Sequence, residues 1–158
     1  MASLPLLIEE DVNEFDRALQ DLVVKSDSSA ALIIDKGGFL ITQCGGTKEF
    51  DLTTLAALSA ALFAATQGIA NLVSETNFSC VYQQGDTYSL LVLNVDEYCL
   101  LTIIFKASIS VGAVKYFATS TVKQISKQLK RAHARNPEDG LDLSVLNLAD
   151  TAPLFRKK

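Results

Sequence analysis

The sequence predicts an α+β fold in three layers, an antiparallel sheet with helices on both faces. Three observations lead there. Three long segments carry apolar residues at helical spacing. Five short runs rich in branched and aromatic residues lie between them. Glycine-bearing turns join several of these runs directly, so hairpins dominate over crossover connections. The element order is α-β-β-α-β-β-β-α.

Helix one is expected from about Glu9 to Lys25. Val12, Phe15, Leu19 and Leu22 recur on one side, and acids fill the first turn, where the helix dipole favours them. Ala30–Asp35 and Phe39–Cys44 read as strands joined by Lys36-Gly37-Gly38, whose glycines supply the positive φ of a tight hairpin. Gly45-Gly46 then frees the chain to leave the sheet. Helix two spans about Asp51 to Glu75, with Asp51 as N-cap. Phe78–Gln83 and Tyr88–Leu93 form a second hairpin through Gln84-Gly85-Asp86. Tyr98–Phe105, with its run CLLTIIF, is apolar on both faces and belongs at the centre of the sheet.

Helix three runs from about Val111 to Ala134. Val114, Ala118, Val122, Ile125 and Leu129 lie on its stripe, with lysines opposite, and NPEDG (Asn136 to Gly140) stops it. Residues 9–135 thus form one domain. Residues 136–158 form a C-terminal tail that is expected to be partly disordered in the free protein, or else a docking segment.

Of the 158 residues, 49% are apolar and 20% charged, which favours a packed core over disorder. Cys44, Cys80 and Cys99 are odd in number, with no CxxC and no histidine nearby. They read as reduced thiols of a cytoplasmic protein, not zinc ligands or a disulfide framework. The net charge of −4 is unevenly spread: acids crowd residues 1–35, while residues 98–137 hold bases and no acid. An acidic helix beside a basic one of similar length accounts for both and disfavours nucleic acid as a partner.

The apolar patch Leu4–Ile8 is too short for a signal peptide. Leu52 to Ser74 contains no charge, but its alanines, Thr53, Thr54, Ser59, Thr66, Gln67 and Asn71 describe a helix covered by protein on more than one side. No membrane span is expected.

Catalytic and cofactor chemistry finds no support. A phosphate loop needs lysine after its last glycine and a helix at once, whereas Lys36 precedes Gly37-Gly38 and a strand follows. Any nucleophile–histidine pair would have to use His133, which reads as a solvated residue at a lysine-rich helix end. Asp35, Asp96 and Glu97 sit at strand ends, where acids are ordinary turn formers. No catalytic residue, metal ligand or cofactor is expected.

Helix two is the informative element. At roughly 100° per residue, Leu55, Leu58, Leu62, Ala65, Ile69, Leu72 and Val73 share a side and are expected to cover the sheet. The other side carries Thr53, Ala56, Ala60, Ala64, Gln67 and Asn71, with Phe63 at its edge, and no charge. A solvated helix face normally carries several charges. Small residues at Ala56, Ala60, Ala64 and Gly68 also allow close helix–helix approach, so a protein partner is expected there, first of all a second copy.

These features resemble the Roadblock/dynein light chain family, and within it the bacterial MglB-like proteins. The resemblance lies in the element order, in AALIIDKGGFLITQCGG as a hairpin, in FDLTTLAALSAALFAATQGIANLVSE, and in LLTIIFKASISVGAVKY. It covers about Val12 to Leu129. It implies a five-stranded antiparallel sheet with helix two on one face and helices one and three on the other. It further implies a homodimer made by helix two and the third strand with their mates. On this sequence that interface falls on Ala57, Ala60, Ala64, Gly68, Phe78, Cys80 and Tyr82. The helix-two pair would be a platform for a small Ras-like, MglA-like GTPase, contacted by Thr53, Ala56, Ala60, Phe63, Gln67 and Asn71. The implied activity is acceleration of the partner's GTP hydrolysis, in service of cell polarity and motility. The alternative is a scaffold subunit with no effect on turnover.

Overall fold

The computed structural model describes residues 3–46, 48–135 and 140–141. Its elements are β1 (Leu4–Pro5), α1 (Glu9–Ser26), β2 (Ala30–Asp35), β3 (Leu40–Gly45), α2 (Leu52–Leu72), β4 (Cys80–Gln83), β5 (Tyr88–Asn94), β6 (Cys99–Lys106), α3 (Val111–Arg135) and β7 (Gly140–Leu141). Five strands form an antiparallel sheet in the order β3-β2-β6-β5-β4. The apolar run of β6 lies at its centre, as its two-sided hydrophobicity predicts, and β3 and β4 are the edges.

α1 and α3 cover one face. Phe15, Leu19 and Leu22 of α1 and Val114, Ile125 and Leu129 of α3 pack with Ile33, Leu101 and Ile103 of the sheet. The acidic and basic helices are neighbours, and a buried carboxylate joins them. Asp11 accepts from the Ile8 backbone N–H at 2.9 Å and from Gln128 Nε2 at 2.7 Å, and it pairs with Arg135. Three donors on one buried carboxylate replace the water it gives up.

The N-terminal arm joins this core. Leu4 and Leu7 are buried, and β1 pairs with β7 in the register Leu4↔Leu141. The remainder of the expected tail lies outside the described residues.

Turn chemistry follows the sequence. Gly38 has φ +100°, and Asp35 and Phe39 close the hairpin with a 2.9 Å bond from the Asp35 N–H to the Phe39 carbonyl. A Cβ on Gly38 would stand 3.2 Å from Ala57 Cα, so the turn also admits α2 at close range. Asp51 caps α2 by accepting from the Thr54 N–H at 3.2 Å and the Thr54 hydroxyl at 2.7 Å. Those bonds hold the Asp51 carboxyl below its usual pKa.

Candidate protein-interaction face

Among the described residues α2 is the one helix on the second sheet face, and its rotation corrects part of the sequence reading. Leu52, Ala56, Ser59, Ala60, Phe63 and Ala70 are its buried residues; Leu52, Ala56, Ala60 and Phe63 pack on Leu32, Ile34, Val92, Leu100 and Ile104. Of the residues expected against the sheet, Leu55 and Leu62 are half-buried and pack there, whereas Ala65 and Val73 are exposed and Leu58, Ile69 and Leu72 are 62%, 54% and 85% exposed. Size decides the orientation. Ala56 and Ala60 let the backbone approach the large side chains of the sheet, and Leu52 and Phe63 fill the layer to either side of them.

Ala56, Ala60 and Phe63, expected on an outer partner-binding face, are therefore inside the fold. Thr53 and Asn71 are exposed at its flank, and Gln67 is half-buried. Of the residues expected at a dimer contact, Ala57, Ala64, Gly68 and Tyr82 are exposed, and Phe78 and Cys80 are half-buried. Ala60 is not available to a partner.

The exposed arc of α2 carries Thr54, Ala57, Leu58, Ala61, Ala65, Gly68, Ile69 and Leu72, with no charge anywhere on the helix. By length and composition α2 could cross a membrane, yet one side of it is packed on the sheet. The C-terminal half of α2 reaches the β4 edge, where Gln67 Nε2 donates to the Phe78 carbonyl at 3.2 Å. The strand is assigned from Cys80, two residues later than the sequence indicates, although the Ser79 carbonyl already accepts from the Asn94 N–H at 3.0 Å.

Cys80 and Tyr82 face the α1/α3 side, where Tyr82 stacks on Phe105 at 6.3 Å between ring centroids. Val81 faces α2, a contact the sequence reading missed. Among the described residues no strand pairs with the outer edge of β4. A charge-free helix arc beside an open strand edge is equipped to bury surface and add backbone hydrogen bonds.

Clefts flank α2 on both sides. One, of about 600 Å³, is lined by Phe63, Gln67, Phe78 and Asn94, with Lys36 and Asp96. Burial pushes the Lys36 ammonium below its usual pKa, against the pull of the Asp96, Cys99 and Glu97 charges. Burial likewise raises Asp96, while the Tyr98 and Cys99 N–H groups lower it. The other cleft, of about 570 Å³, holds Phe50, Leu55, Gln83 and Tyr88.

His133 is exposed, as expected, but its Nδ1 lies 3.4 Å from the Tyr98 hydroxyl. The three cysteines are free; burial raises the Cys99 thiol well above its ordinary pKa and raises Cys44 as well. No group of metal-ligating side chains occurs among the described residues.

Comparison with known proteins fits this architecture. The Roadblock/LC7 domain matches residues 14–105. The chain belongs to the Roadblock/LC7 family. Among solved structures, this Roadblock chain is similar to MglB of Myxococcus xanthus, with 27% identity over 80% of this chain and 96% of that one, at a TM-score of 0.75. It is similar to the gliding protein MglB of Thermus thermophilus at 25% identity, covering 83% and 99% of the two chains, with a TM-score of 0.76. An MglB described as having a tetrameric arrangement matches at 25% identity over 84% and 99%, with a TM-score of 0.77. A search of the curated proteins finds no match.

Proposed function

We propose that this Roadblock protein is a cytoplasmic homodimer that regulates a small Ras-like GTPase, as an activator of the MglB type. The observation that carries the proposal is the charge-free, exposed arc of α2 beside the unpaired β4 edge. Its likeness to MglB structures supplies the class of partner.

The C-terminal half of α2, through Gly68, Ile69 and Leu72, adjoins the β4 edge and serves the second copy, together with Cys80 and Tyr82. The N-terminal half, through Thr53, Thr54, Leu58 and Ala61, stands away from that edge and serves the GTPase. α2 contains no arginine or lysine. Activation therefore works by repositioning the partner's own switch segments, not by inserting a cation into its site.

The test is GTP turnover by the MglA-like GTPase of the same organism, with the wild type and with Leu58→Glu. Acceleration by the wild type and none by the variant, with the variant still dimeric, is the expected outcome. A stable complex without acceleration would turn the assignment to a scaffold. Absence of any complex would remove the GTPase from the proposal.

A further inference from the structure

The cleft of about 600 Å³ beside α2 has the size of a small-molecule site, for which ~300–1,000 Å³ is typical. Phe63 and Ala64 of α2, with Phe78 and Leu100, make its apolar walls. Gln67 Nε2 ties the Phe78 carbonyl to α2 at 3.2 Å, and the Asn94 N–H ties the Ser79 carbonyl to β5 at 3.0 Å. Two hydrogen bonds therefore frame the space before any ligand enters.

The other end of the cleft is polar. Lys36 and Asp96 line it together, yet Lys36 forms no ion pair among the described residues. Asp96 Oδ1 accepts from the Tyr98 and Cys99 N–H groups at 2.8 and 3.1 Å, whereas its Oδ2 accepts no hydrogen bond among the described residues. Asn94, on the same lining, has a buried Oδ1 without a partner. Lys36 and Asp96 are both half-buried, and burial is the largest influence on each, pushing the ammonium below and the carboxyl above its ordinary pKa. Lys36 has lost water without gaining a partner, and Asp96 has gained bonds only on Oδ1. A ligand that brings the opposite charge to each is favoured there. Glu97 also lines the cleft but is exposed, so water already serves its charge.

We propose that this cleft binds a free α-amino acid with a large apolar side chain. The ligand's carboxylate lies against the Lys36 ammonium, its ammonium against Asp96 Oδ2, and its side chain between Phe63 and Phe78. The zwitterion follows from two opposite charges that share one cleft without meeting. A simple amine would leave Lys36 unpaired, and a simple acid would leave Asp96 so. None of Lys36, Phe63, Phe78 and Asp96 belongs to the exposed arc of α2, so the site stands independently of the GTPase assignment.

Titration of the full chain with L-phenylalanine, followed by calorimetry and by amide NMR shifts, tests this. L-phenylalanine should bind and shift the amides of Lys36, Phe78 and Asp96. Phenethylamine, which lacks the carboxylate, and hydrocinnamate, which lacks the ammonium, should each bind about 10- to 100-fold more weakly, the loss of one charge-assisted bond. Lys36→Met should weaken L-phenylalanine by a similar factor and leave phenethylamine unchanged. Asp96→Asn should weaken L-phenylalanine and leave hydrocinnamate unchanged. Thermal melting of both variants reports that the fold is kept.

Failure of both L-phenylalanine and L-leucine to bind at millimolar concentration would overturn the proposal. So would equal affinity for the three phenyl compounds, or an L-phenylalanine affinity indifferent to both substitutions.

Discussion

Replacing Leu72 by alanine tests the orientation of α2 and its proposed role in self-association. In the single chain this leucine is 85% exposed, in the last turn of α2 near the β4 edge. Full burial of a leucine side chain is worth about 1.5–3 kcal/mol. Incomplete coverage at an interface leaves about 1–2 kcal/mol per protomer. A two-fold contact loses that twice, so the dimer should weaken by about 2–4 kcal/mol, or roughly 30- to 700-fold in Kd.

The fold itself should be little changed, because Leu72 contributes almost nothing to the core. Sedimentation equilibrium across concentrations bracketing the wild-type Kd measures the first effect, and thermal melting of the dilute monomer the second. Ala60→Glu is the opposing control. Ala60 is 7% exposed beneath α2, so the substitution buries an unpaired carboxylate at a cost of several kcal/mol and should unfold the chain. A Leu72→Ala dimer as tight as the wild type, or a well-folded Ala60→Glu that merely dissociates, would refute the face assignment.

The α1–α3 junction should be sensitive to Asp11→Ala. It strips the Ile8 N–H, Gln128 and a partly exposed Arg135 of their shared acceptor, for a loss of about 2–4 kcal/mol measured by urea unfolding. Asp96→Asn should change the pH dependence of stability. Burial raises the Asp96 pKa, so the folded state holds this proton more tightly than the unfolded state. Stability therefore falls as pH rises from the unfolded carboxylate range through the folded pKa. Asparagine keeps an Oδ1 for the Tyr98 and Cys99 N–H groups and has no such slope. Unfolding curves should coincide near pH 3 and favour the variant near pH 7; a variant less stable at neutral pH would show that attraction to Lys36 outweighs burial.

The strands, the hairpin at Gly38, the Asp51 cap and the central place of β6 were legible because each is written locally. A turn glycine, a capping carboxylate or a two-sided apolar run acts within a few residues. The adjacency of α1 and α3 was legible from charge. The facing of α2 was not. Apolar residues surround that helix, so no polar side marks the outside, and shape complementarity with Leu32, Ile34 and Leu100 decides instead. The Gln67–Phe78 contact was hidden as well, because it joins two different elements and no pattern within either announces it. The β1–β7 pairing joins the two ends of the described chain, and two-residue strands carry no periodicity to read.

The rotation of α2 carries the functional argument further than its composition does. Had Leu58, Ile69 and Leu72 packed on the sheet, the outer arc would be Thr53, Ala56, Ala60, Ala64, Gln67 and Asn71 with Phe63 at its edge, and would expose fewer large aliphatic side chains. Instead the chain turns Leu58, Ile69 and Leu72 outward, while Leu52, Ala56, Ala60 and Phe63 pack on the sheet with Leu55 and Leu62 beside them. That arrangement leaves part of the helix's apolar burial to association, which is why covering α2 gains free energy that folding alone does not collect. In the proposed assembly it also separates two roles along one helix. Ile69 and Leu72 lie by the strand edge, where pairing with a second copy adds backbone bonds to apolar contact. Leu58 lies about three turns before Ile69 and about four before Leu72, at roughly 3.6 residues per turn. A single charge-free helix can thus hold a mate at one end and present a binding surface at the other without the two partners competing for the same side chains.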